Sequence, residues 1–89
     1  MAQLNVDLVA ADRKIWSGRA QSVSAPAADG EIGILADHSP LLSVLGEGSV
    51  RIKAAEGEPL EVRVSGGFIS VDSNQVTIVA DSVESAPTR

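Results

Sequence analysis

Apolar and polar residues alternate with a period of two along most of this chain. Leu4, Val6 and Leu8 alternate with Asn5 and Asp7, Val50, Ile52 and Ala54 with Arg51 and Lys53, and Leu60, Val62 and Val64 with Glu61 and Arg63. Val76, Ile78 and Ala80 complete the series. This spacing places the apolar set on one face of a strand and the polar set on the other. Asp12-Arg13, the loop from Ala25 to Asp29-Gly30, Gly46 to Ser49, Glu56 to Pro59 and Asp72 to Gln75 punctuate the runs with turn residues. Ser39-Pro40 could open a helix, but about five residues before Gly46 are too few to sustain one. The pattern predicts an all-β fold, an antiparallel sandwich or barrel of about eight to ten short strands. It assigns one domain to residues 1–81 and a polar, frayed tail to 82–89.

Finer expectations follow from glycines and aromatics. Residues 14–24 read as one bent strand with a bulge near Gly18, and Ser65-Gly66-Gly67 as a bulge or a close backbone approach. Trp16 reads as a partly buried anchor and Phe68 as core. The runs 50–54 and 60–64 read as a hairpin whose outer face carries both signs of charge.

Composition narrows the function classes. The 89 residues contain no cysteine, which excludes disulfides, thiol catalysis and cysteine-ligated metal. A net charge of −5, with no basic run longer than Arg13-Lys14, argues against nucleic acid as a partner. Neither a signal-peptide pattern nor an apolar stretch long enough to span a bilayer is present, so an unexported protein without its own membrane anchor is expected.

One segment concentrates unusual polar chemistry. Asp29 to Leu45 reads as two apolar arms meeting at a polar tip that holds Asp37, the single histidine His38, Ser39 and Pro40. Aspartate, histidine and serine are the residue types of a hydrolase triad, but a triad needs them to converge from separate elements, and adjacent residues of one loop do not. A single histidine with scattered carboxylates lacks zinc or calcium spacing, and the glycine clusters lack a phosphate-loop pattern. No catalysis and no cofactor is expected. His38 then reads either as a loop histidine tying down the Ser39-Pro40 turn or as a contact residue, Gly33 either as a close strand approach or as a flat docking patch, and Glu31 as a solvated strand residue unless a basic partner faces it.

Gly30-Glu-Ile-Gly-Ile-Leu, Asp37-His-Ser-Pro-Leu-Leu, Gly48-Ser-Val-Arg-Ile, Ser65-Gly-Gly-Phe and Val76-Thr-Ile-Val-Ala-Asp, in this order, resemble the epsilon subunit of bacterial and chloroplast F-type ATP synthases. Leu4-Asn-Val-Asp-Leu-Val and Trp16-Ser-Gly fit the same family. The resemblance implies a ten-stranded, two-sheet β-sandwich at the foot of the central stalk, against the gamma subunit and the membrane c-ring. It implies a non-catalytic rotor subunit that couples ring rotation, driven by protons or in some members sodium ions, to ATP synthesis. Glu31, Gly33 and His38 match positions near the c-ring, with Asp37, Ser39 and Pro40 as their neighbours. Membrane association would come through the complex, on the cytoplasmic face of the bacterial plasma membrane. The family's C-terminal helices, which restrain hydrolysis in many bacteria, have no counterpart before the sequence stops at Ala86-Pro-Thr-Arg89, so their properties are not carried over. Composition alone also fits a small sandwich module with an unrelated protein partner.

Overall fold

A computed structural model describes residues 3–84. Seven strands run in chain order: β1 (Leu4–Ala10), β2 (Arg13–Ala27), β3 (Gly30–Leu35), β4 (Leu41–Val44), β5 (Glu47–Ala54), β6 (Leu60–Asp72) and β7 (Gln75–Glu84). Hydrogen-bonded neighbours follow the order β1-β7-β6-β5-β2-β3, and β1 also pairs with β2, so five strands close into a ring. β3 adds to one side through β2 and β4 to the other through β6. Closure leaves only β3 and β4 as edges, which limits the strand-edge surface open to unwanted pairing.

The ring is flattened into two layers because its long strands turn the corners. The N-terminal half of β2 pairs with β1, and its C-terminal half pairs with β3. β6 likewise meets β5 through residues 60–65, while residues 68–71 meet β4 and residues 63–72 meet β7. The runs 60–64 and 68–71, expected as separate short strands, are therefore parts of one continuous strand, which is one reason alternation suggested about eight to ten where seven are formed among the described residues. One pairing departs from the antiparallel expectation. β1 runs parallel to β7, from Asn5 opposite Gln75 to Ala10 opposite Ala80, because ring closure brings the first and last strands together.

Local chemistry explains the bends. The register of β2 shifts against β1 beside Ile15 and against β5 at Gln21, so its bulges flank Gly18 and do not fall on it. Gly18 is small for another reason: a Cβ there would sit 3.0 Å from the Trp16 ring, which covers it. Trp16 packs partly buried against the core, as expected. The register of β6 against β7 continues across Gly66-Gly67 without a shift, while on its other side pairing with β5 ends at Ser65 and pairing with β4 begins at Phe68, so the close backbone approach holds and no bulge forms against β7. Gly67 has φ +114°, and a Cβ there would overlap the Val79 carbonyl oxygen. The Gly67 carbonyl accepts from the Leu45 amide at 2.9 Å, and the Gly66 amide donates to the Gly46 carbonyl at 3.2 Å. The two glycines thus let three backbones meet at one corner.

The core is aliphatic and lies between the layers. Leu4, Val6, Leu8, Val23, Ile34, Val50, Ile52, Val64, Ile69, Val71, Val76 and Ile78 are each less than 2% exposed, and among the described residues no polar or charged one is buried with them. Burying one such side chain stabilises the fold by about 1.5–3 kcal/mol. The expected β5–β6 hairpin forms, with Val50 opposite Val62 and Ile52 opposite Leu60. Outside it, Arg51 Nε lies 3.4 Å from Glu61 Oε2, an exposed pair worth at most about 1 kcal/mol. Alternation faded after Ala80 in the sequence, yet β7 continues to Glu84, with Ser82, Val83 and Glu84 paired to Ser65, Val64 and Arg63. The remainder of the anticipated tail, residues 85–89, lies outside the described residues.

Candidate functional site: an open edge, a clasped loop and an apolar face

The two apolar arms of the segment from Asp29 to Leu45 do not pair with each other. β3 pairs with β2 and β4 pairs with β6, so the polar tip between them crosses from one layer to the other. β3 presents Glu31, Gly33 and Leu35 on one exposed face, as the two-residue period dictates. An added Cβ at Gly33 would meet nothing within 4 Å, and no positive φ requires glycine there. The close-strand explanation of this glycine is therefore removed, and the position is simply flat and open.

The loop that follows is tightly specified. The His38 amide donates to the Leu35 carbonyl at 3.2 Å, closing a turn in which Asp37 takes φ +66°. Aspartate is among the few residues that tolerate this left-handed region. His38 is half-buried, and its Nδ1 lies 2.7 Å from the Ser39 carbonyl oxygen, a contact in which Nδ1–H is the donor. The histidine thus ties down the turn ahead of Pro40, while Asp37, Ser39 and Pro40 are exposed. Asp37, His38 and Ser39 do not converge as a triad: the hydrogen bonds of Asp37 go to Asn74, 37 residues away. Among the described residues no cluster of three or more histidine or acidic side chains could hold a metal ion.

A second surface was missed by sequence reasoning. Val9 of β1, Val79 of β7, Phe68 of β6 and Val44 of β4 are direct cross-strand partners in one row on the outer face of a layer. Val44 is 63% and Phe68 42% exposed, and Leu42, two residues along β4, is 74% exposed. Phe68 is therefore not core, because the inward position on that strand belongs to its neighbour Ile69. Lys14 lies opposite Val9 at one end of the row, and Ser70, Thr77 and Asp7 form the polar row beside it. An apolar strip with a polar rim is how a docking surface differs from scattered surface hydrophobes. The sequence does carry a signal for it. Leu8-Val9, Leu41-Leu42, Val44-Leu45, Phe68-Ile69 and Ile78-Val79 are adjacent apolar pairs in alternating strands, and one member of each such pair must face outward.

Residues 3–86 match the family described as ATP synthase, Delta/Epsilon chain, beta-sandwich domain. The ATP synthase epsilon chain of Micrococcus luteus is 49% identical over 82 residues, covering 92% of this chain and 90% of that one. The ATP synthase epsilon chain of Streptomyces avermitilis is 46% identical over 85 residues, covering 96% of this chain and 68% of its own length. Among solved structures, a chain of the mitochondrial ATP synthase of Euglena gracilis, determined with its c-ring, superposes with a TM-score of 0.87 at 24% identity. It is covered over 54% of its length, so this chain spans about half of it, against 96% coverage here. A chain from the central stalk and c-ring of the Tetrahymena thermophila mitochondrial ATP synthase gives 0.76 at 18% identity, covering 92% of this chain and 66% of that one. These two likenesses speak to the fold. The matched sandwich domain and the two bacterial relatives mean that this chain belongs to the ATP synthase delta/epsilon chain beta-sandwich family.

Proposed function

We propose that this chain is a non-catalytic subunit of the central stalk of a proton-translocating F-type ATP synthase, where it joins the c-ring to the gamma subunit. The observation that carries this reading is the apolar row of Val9, Val79, Phe68 and Val44, an unpartnered surface on a sandwich whose relatives are named as epsilon chains. A torque-transmitting joint needs two rigid contacts, one for each neighbour. The ring-closed sandwich supplies them preformed, so little conformational freedom is lost on docking.

The two surfaces differ chemically and suit different partners. The apolar row fits a protein face that stays buried in the stalk, which we assign to gamma. The open edge at Glu31 and Gly33, followed by the loop at His38 with Asp37, Ser39 and Pro40 beside it, fits the polar loops of the c-ring. No cofactor takes part in this role. No helix among the described residues is long and apolar enough to cross a membrane, so attachment through the complex is the membrane contact proposed, at the cytoplasmic face of the bacterial plasma membrane.

Gly33→Trp tests the ring contact. The site is sterically open, so the variant should fold with stability changed by no more than about 0.5 kcal/mol. In the reassembled synthase, the indole should obstruct the ring and lower ATP-driven proton pumping, measured by fluorescence quenching in vesicles. Normal pumping by a complex shown to contain the variant would remove Gly33 from the interface.

A further inference from the structure

We infer that Asn74 is a positioning residue for the docking loop: its side chain, reaching from the β6–β7 turn, fixes the conformation in which His38 is presented. This rests on the proposed contact between the loop and the ring. The turn is Ser73-Asn74, with φ of +51° and +64°, between the paired residues Asp72 and Gln75. Two successive left-handed residues are the signature of the tight hairpin turn whose twist matches the strands. The Asn74 carbonyl accepts from the Asn5 amide at 2.8 Å, which fastens the turn to β1.

From that fixed base both side-chain functions of Asn74 are given to one residue. Its Oδ1 accepts from the Asp37 amide at 2.6 Å, and its Nδ2 donates to Asp37 Oδ1 at 3.2 Å. Asp37 offers one donor and one acceptor, so its partner must be both acceptor and donor, and must also tolerate φ +64°. Asparagine meets all three conditions. Asp37 is itself held at φ +66°, and His38 is the next residue. The clasp therefore sets the backbone direction at the residue expected to touch the ring. Neither partner belongs to the buried core.

Asn74→Gly isolates the side chain, because glycine accepts the positive φ that the turn requires. Its folding stability should stay close to that of the parent. Solvent exchange of the Asp37 amide, followed by NMR, should quicken about fivefold, the protection of roughly one hydrogen bond. Proton pumping by the reassembled synthase should fall. The double variant Asp37→Asn/Asn74→Asp supplies the rescue: the residue-74 carboxylate can accept from both the residue-37 amide and its new side-chain amide, and both residue types tolerate the left-handed region. Exchange and pumping should return toward parental values. Gly33→Trp is run in parallel. If it uncouples while Asn74→Gly leaves exchange and pumping unchanged, the positioning role is overturned and the docking reading stands. If Asn74→Gly quickens exchange and Gly33→Trp leaves pumping normal, it is the ring contact that has failed.

Discussion

Gly67→Ala is expected to destabilise the chain by about 3–5 kcal/mol, a large share of the roughly 4–13 kcal/mol available to a domain of this length. Two independent costs add. The φ of +114° lies in a region that side chains other than glycine rarely enter. The new Cβ would also overlap the Val79 carbonyl oxygen and approach Ala80 Cα to 2.8 Å, and these are backbone atoms of the adjacent strand that cannot rotate away. Relief would require β6 and β7 to separate where the Gly67 carbonyl receives the Leu45 amide, so the corner that joins the layers would open as well. Urea unfolding of the purified variant measures the effect. Gly33→Ala is the control, since its Cβ enters open space and should change stability by about 0.5 kcal/mol or less. A Gly67→Ala loss below about 1 kcal/mol would mean that the corner adapts more readily than its packing indicates.

The second large effect concerns association. Phe68 is the only aromatic in the exposed apolar row and sits between Val79 and Val44, the position from which an aromatic side chain contributes most to binding when covered. Phe68→Asp should fold, because the side chain is already 42% exposed and the inward packing belongs to Ile69. Its affinity for stalk complexes depleted of this chain should fall about thirtyfold or more, the loss expected for a central interface aromatic. Val44→Asp, on the edge strand beside it, should weaken binding in the same direction. Unchanged affinity in both variants would exclude the row as the gamma-facing surface and leave it without a role in the stalk.

How far the sequence foretold these features depends on whether each is set locally or by ring closure. The one-face-buried strands, the β5–β6 hairpin and the turn at Asp72–Gln75 were legible because alternation and turn chemistry are properties of neighbouring residues. The parallel β1–β7 pairing, and the crossing of the segment from Asp29 to Leu45 between layers, depend on contacts distant in the chain, which local patterns do not encode. Phe68 was misassigned for a related reason. In Phe68-Ile69 two apolar residues compete for one inward position, and only the packing of β6 against β7 shows that Ile69 takes it. Gly33 and Gly67 looked alike as mid-strand glycines, yet one is free of neighbours and the other is indispensable to the corner. Of the candidate site, Glu31, Gly33 and His38 were marked by resemblance. Asn74 could not have been linked to Asp37 from sequence, because only the fold brings the two turns together.

If this chain works as a joint in the stalk, an affinity-tagged copy recovered from detergent-solubilised membranes of its own host should carry its neighbours with it, as mass spectrometry of the co-eluting proteins will show. The gamma and c subunits of the ATP synthase are expected in the eluate, with markedly less of gamma when Phe68→Asp is carried. Consistent absence of both subunits alongside the unaltered chain would contradict that role.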